Sequence, residues 1–172
     1  MNAVVNATPL IALSLLRRLD LLPVLFQEVL VPRAVYDEVT VAGSGRPGAV
    51  DVAEASWLQV RVPEVAITIE PLLLGLDEGE LQVLLLAREV GADWVLIDER
   101  LARRVAIAMG LRVKGTAGIL AAGYHAGLVS REDVEDAGPR LLAAGIRLGP
   151  RVLTWLTRQM APTDSRSVPP VR

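Results

Sequence analysis

In an open parallel α/β sheet, ligands sit outside the carboxyl ends of the strands, so the polar side chains that follow apolar runs are the first candidates for chemistry. Asn6 follows the β-branched run Ala3-Val4-Val5, Asp98 and Glu99 follow Trp94-Val95-Leu96-Ile97, and Thr116 comes soon after Leu111-Arg112-Val113. If these runs are neighbouring parallel strands, the groups share one edge, and all of them carry oxygen donors. The chain has no cysteine and one histidine, His125. That excludes thiolate zinc sites, iron–sulfur clusters, a cysteine nucleophile and a multi-histidine centre. Metal chemistry on this chain must rest on oxygen ligands, which suit Mg²⁺ or Mn²⁺.

Each candidate also has a purely local use. Asp98 is a favoured cap for a following helix, a use compatible with facing a cleft. Asn6 after a strand suits a turn. Asp77-Glu78-Gly79-Glu80 fits a capping box, with Asp77 as N-cap and Glu80 as the third helical residue. Glu38 fits an exposed carboxylate on a helix. Neither a G-x-G-x-x-G nor a Walker phosphate loop is present, and Gly43-Ser44-Gly45 stands away from any strand–helix junction of the right form.

The chain has 172 residues, of which 52% are apolar and 22% charged. This composition excludes disorder over most of its length and fits one domain, placed at residues 1–160, with a polar, proline-bearing stretch at 161–172 read as a disordered tail. Twenty acidic and 18 basic residues give a net charge of −2, so the protein is not an overtly basic nucleic-acid binder. Its apolar stretches at residues 10–16 and 81–87 fall well short of the ~20 residues of a spanning helix. The N-terminus lacks the pattern of a signal peptide, and a cytoplasmic protein is expected.

The elements that would position these groups follow from periodicity and punctuation. Strands are expected at residues 3–5, 28–31, 57–62, 94–97 and 111–113. Helices are expected at 10–18 (capped by Thr8, with Pro9 first), 19–26, 33–40, 49–55, 77–90, 99–109, 116–126 (capped by Thr116), 130–144 and 150–160. Strands alternating with helices through short turns imply a parallel sheet layered with helices.

The order of four segments goes further. Val4-Val5-Asn6-Ala7-Thr8-Pro9-Leu10-Ile11-Ala12-Leu13, followed by Leu19-Asp20-Leu21-Leu22, resembles the start of PIN domains. Val31-Pro32-Arg33-Ala34-Val35-Tyr36-Asp37-Glu38-Val39 resembles their second acidic motif. Leu76-Asp77-Glu78-Gly79-Glu80 and Leu96-Ile97-Asp98-Glu99-Arg100-Leu101-Ala102-Arg103 resemble the third and fourth. The resemblance spans about residues 3–160 and is strongest to a prokaryotic PIN-like branch related to VapC-type toxin nucleases.

It implies an α/β/α sandwich with a central parallel sheet, metal-dependent ribonuclease activity, and a metal-binding quartet at Asn6, Glu38, Glu80 and Asp98. Of these, Glu38, Glu80 and Asp98 would be catalytic, with Thr8 and Thr116 as hydroxyls near the site. The family has Asp where this chain has Asn6, which supplies an oxygen but no charge. Weaker metal binding is expected, with Glu99 and Asp77 nearby. The resemblance also implies RNA as substrate, a homodimer, and a toxin held by a small antitoxin protein. Arg100, Arg103, Arg104 and Lys114, with Arg112, are candidates for RNA phosphates, which position a strand without reading it. His125 is expected to be structural and away from the strand ends. The Asn6 departure keeps an alternative open, a PIN-fold protein that binds RNA or protein with feeble or no catalysis. A phosphoacceptor or small-molecule domain ranks behind both.

Overall fold

Ala3, Val4 and Val5 are fully buried. A strand with no exposed face needs partners on both edges and helices on both faces, and this one has them. In the computed structural model, which describes residues 1–64 and 75–161, β1 (Asn2–Val5) lies at the centre of a sheet. It pairs in parallel with β2 (Glu28–Pro32) on one side and β4 (Trp94–Leu96) on the other. The outer strands are β3 (Leu58–Arg61) and β5 (Val113–Lys114). The order is β3-β2-β1-β4-β5, and every pairing is parallel.

This order fixes where a site can form. The chain winds outward from β1 to β2 and β3, then crosses back to β4 and β5, so the winding direction reverses between β1 and β4. At such a switch point the loops leaving two adjacent strands diverge and open a crevice at their carboxyl ends. Val5 is in register with Leu96, and the Asn6 amide donates to the Leu96 carbonyl at 2.9 Å. Asn6 and the Ile97-Asp98-Glu99 segment therefore leave the sheet side by side.

The helices form the two outer layers of the expected α/β/α sandwich. On one face α5 (Glu78–Glu89) packs beneath β1, β2 and β4, flanked by α3 (Arg33–Asp37) and α6 (Arg100–Ala108). The other layer groups α1 (Ala7–Leu15), α2 (Leu21–Leu25), α4 (Ala49–Ala53), α7 (Thr116–His125), α8 (Arg131–Ala143) and α9 (Pro150–Gln159). One buried cluster runs through both layers and includes Leu10, Leu13, Leu84, Leu86, Ile97, Ile119, Leu120 and Leu141. No helix among the described residues is long and apolar enough to cross a membrane. The tail expected to be disordered lies, from residue 162 onward, outside the described residues.

Several local expectations need correction. Helix α1 starts at Ala7, not after Thr8. Asn6 is its N-cap residue, in extended conformation, and Pro9 falls in the first turn, where a missing N–H breaks no helical bond. Thr116 likewise is the first residue of α7, with Gly115 as N-cap. Asp98 is not the cap of α6, whose N-cap position is Glu99, and the Glu99 side chain makes no cap hydrogen bond. The helix expected over 33–40 ends at Asp37 and widens into a π-helical turn, Glu38–Ala42. Such turns are rare and recur at functional sites. Strand β5 lies slightly later than the expected 111–113 run.

Candidate functional site

Two carboxylates leave β4 together and take different partners. Asp98 turns towards α7: its Oδ1 accepts the Thr116 amide at 2.9 Å and its Oδ2 accepts the Thr116 hydroxyl at 2.5 Å. Glu99 turns towards α1, accepting the Thr8 hydroxyl at 2.6 Å and the Asn6 side-chain amide at 3.4 Å. These partners explain why residues with strong capping tendencies do not cap their own helices. Their polar groups are used across the crevice, tying β4 to the starts of α1 and α7. Asn6 is 4% exposed and Thr116 fully buried, so the bonds these two make satisfy polar groups that would otherwise be buried without a partner.

On the other side of the crevice, Asp77 and Glu80 form the expected capping box. The Asp77 carboxylate accepts the Glu80 amide at 2.7 Å, and the Glu80 carboxylate accepts the Asp77 amide at 3.0 Å. Glu38 Oε2 and Asp77 Oδ1 both lie beside Gly79, 3.4 and 3.5 Å from where a Cβ on that residue would stand. The start of the π-helical turn and the start of α5 thus bring Glu38, Asp77 and Glu80 together.

The charges of these groups act on one another. Burial raises the Glu38 carboxyl above its ordinary value, and the negative charges of Asp77 and Glu99 add to the shift. Burial also raises Glu80. The Asp77 amide bond opposes this, and Asp77, Glu99 and Glu38 reinforce it. Asp98 is raised by burial and by Glu99, against the lowering effect of its Thr116 bonds and of Arg103. Arg103, the cation felt by Asp98, donates through Nη1 to the Ile97 carbonyl at 2.9 Å.

The quartet expected from the sequence is therefore brought to one end of the sheet but not into a finished coordination shell. Among the described residues, no three carboxylates or imidazoles stand close enough together to hold an ion. The Asp98 carboxylate is held by Thr116. The donor chemistry nevertheless fits a hard divalent ion: carboxylates with raised pKa values, an amide oxygen, and no soft ligand. Asn6, Glu38, Glu80 and Asp98 would hold it, with Glu99 beside them.

Sequence reasoning treated Glu99 only as a neighbour. Its role as the anchor for Asn6 and Thr8 depends on contacts more than 90 residues apart, which no local pattern carries. The basic candidates divide. Arg103 and Lys114 line a cavity of about 500 Å³ with Asp98, whereas Arg100 and Arg104 are exposed on α6. Arg112 and Lys114 lie 4.1 and 4.2 Å from the Trp94 ring centre. His125 is exposed at the end of α7, edge-on to Tyr124.

A close approach at Gly115 yields a test of the Asp98 geometry. A Cβ at this position would stand 2.5 Å from Asp98 Oδ1 and 3.0 Å from Arg103 Nη1, so Gly115→Ala must displace the carboxylate from Thr116. Overpacking of this kind costs ~1–3 kcal/mol, or a fall in melting temperature of roughly 2–4 °C per kcal/mol at this size. Unchanged melting would show that the contact yields freely.

The raised carboxyls give a second prediction, for protein in EDTA. An acid whose folded pKa lies above its unfolded value destabilises the fold when ionised. The penalty is absent below the ordinary values of 4.5 for Glu38 and Glu80 and 3.8 for Asp98. It grows as pH rises through the raised folded values and is complete above them. These three groups should therefore lower the melting temperature as pH rises from about 4 to neutrality, and a Glu38→Gln/Glu80→Gln protein should show less of this loss than wild type. Equal pH dependence in the two proteins would show that Glu38 and Glu80 are not raised by the fold.

A parallel three-layer α/β/α fold with an acidic crevice at its switch point defines the class. A family model described as a PIN domain matches residues 2–161, and the chain belongs to the PIN-domain family. PIN domains are generally nucleases that use divalent metal ions. No curated protein and no solved structure matches the chain.

Proposed function

We propose that the protein is an Mg²⁺- or Mn²⁺-dependent endoribonuclease that hydrolyses RNA phosphodiester bonds at the β1/β4 crevice. The observation that carries this reading is the set of mutually repelling carboxylates, Glu38, Glu80, Asp98 and Glu99, gathered at the switch point of a PIN fold. A divalent ion bound there would supply Lewis-acid stabilisation of a phosphoryl oxygen and a water of lowered pKa. The protein's own groups would do the rest. Thr116 holds the Asp98 carboxylate in place, Thr8 and Asn6 hold Glu99, and the capping box fixes Glu80 at the start of a rigid helix. Lys114 and Arg103, on the Asp98 side, offer positive charge to the phosphates of the strand. A role as a toxin, a small antitoxin partner and a homodimer belong to the same proposal and rest on the family resemblance.

The test is cleavage of labelled single-stranded RNA by purified protein. Internal cuts are expected in Mn²⁺ or Mg²⁺ and none in EDTA. A PIN-fold protein that binds RNA without cutting it is the second reading, favoured by Asn6 at the first acidic position. It predicts RNA binding with no metal-dependent products at any Mn²⁺ concentration.

A further inference from the structure

Asp98 faces two environments. One is the acidic crevice. The other is the cavity of about 500 Å³ between the β4–β5 edge and the start of α9, lined by Trp94, Arg103, Lys114, Arg147, Arg151 and Trp155 along with Asp98 itself. Its volume falls within the ~300–1,000 Å³ of pockets that hold small ligands. The chain carries a net charge of −2, yet this wall gathers four cationic side chains against one carboxylate. Neither Arg147 nor Arg151 has an ion-pair partner among the described residues. The chain has only three tryptophans, and two of them are here. Trp94 is occupied, with the Arg112 guanidinium and the Lys114 ammonium against its ring. Trp155 is 44% exposed and carries no cation against its ring among the described residues. Gly118 makes room for Lys114, since a Cβ there would meet the lysine Cγ at 2.8 Å.

We propose that this cavity is a nucleotide subsite. It takes one unpaired nucleotide of the RNA strand, adjacent to the phosphate presented to Asp98, with the base against the Trp155 indole and the backbone phosphate between Arg147 and Arg151. The chemistry favours a nucleotide over an acidic peptide. A free indole face binds any base by stacking, arginines bind phosphate bidentately, and the cavity shares Asp98 with the acidic crevice, so an occupant there continues into it. A stacking subsite needs an unpaired base, and it therefore selects single-stranded over duplex RNA.

The proposal rests on the nuclease reading for the direction in which the strand runs, and the test separates the two. Binding of a short fluorescein-labelled single-stranded oligoribonucleotide is measured by anisotropy in EDTA, where no cleavage occurs. Trp155→Ala should weaken binding ~10-fold or more, and Trp155→Phe should restore much of it. Arg151→Gln, at an exposed position where the fold should be kept, should lower the salt slope of log K by ~0.7. Duplex RNA of the same sequence should compete poorly. The proposal is overturned if wild type does not bind the oligonucleotide, or if both variants bind like wild type. It is equally overturned if oligoglutamate displaces the probe as well as unlabelled RNA does, which would make the cavity an acidic-peptide site. Metal-dependent cleavage with an unchanged KM in both variants would sink the subsite and leave the nuclease standing. Pocket-dependent binding with no cleavage in Mn²⁺ would do the reverse.

Discussion

Asp98→Asn should lower metal-dependent RNA cleavage by ~10²-fold or more, while melting in EDTA stays within a few degrees of wild type. The loss follows from removing the formal charge of a ligand that a hard cation requires. The small effect on stability follows from the hydrogen bonds. The side-chain carbonyl of the substituted asparagine can still accept the Thr116 amide, now 2.9 Å from Asp98 Oδ1, and the Thr116 hydroxyl can rotate to accept from the new NH₂. Because burial and Glu99 already disfavour ionised Asp98, losing its charge relieves repulsion in the metal-free protein. Cleavage at the wild-type rate would remove Asp98 from the catalytic site.

Asn6→Asp should change stability in opposite directions with and without metal. The Asn6 amide donates to Glu99 Oε2 at 3.4 Å, and the residue is buried. An aspartate loses that donor and sets a second carboxylate against Glu99. The loss of a buried hydrogen bond to a charged group costs ~1.5–3 kcal/mol, so melting in EDTA at neutral pH should fall by roughly 3–12 °C. With Mn²⁺ the added charge becomes a ligand charge. The metal-induced rise in melting temperature should then exceed that of wild type, and cleavage should increase. If neither the metal response nor the cleavage rate changes, Asn6 is not at the metal site.

Much of the fold was legible because its signals are local. The strand patterns, apolar or alternating, the glycine and proline punctuation, and the Asp77–Glu80 capping box each sit within a few residues of the structure they produce. The π-helical turn was not legible, since Glu38-Val39-Thr40-Val41-Ala42 has the composition of an ordinary helix end. Thr8, Asp98 and Thr116 show the limit most clearly. Their side chains carry the same capping tendency whatever they bind, and their actual partners lie far along the chain: Thr8 finds Glu99, and Thr116 finds Asp98. Sequence reasoning could choose Glu38, Glu80 and Asp98 only through the order of the four motifs. It could not see that Glu99 anchors Asn6 and Thr8. The cavity at α9 was hidden for a similar reason. Arg147, Arg151 and Trp155 belong to no motif, and only the fold brings them to the cavity that Trp94 and Lys114 also line.

If the reading is right, the crevice carboxylates bind a hard divalent cation together. Electron paramagnetic resonance can follow that binding, because hexaaqua Mn²⁺ gives a sharp signal that protein binding depletes. Titration of wild-type protein should deplete the free-ion signal saturably, and Glu38→Gln/Glu80→Gln/Asp98→Asn protein, still folded by its melting curve, should leave it undepleted. Equal depletion by both proteins, or none by wild type, would mean that these carboxylates do not hold the ion.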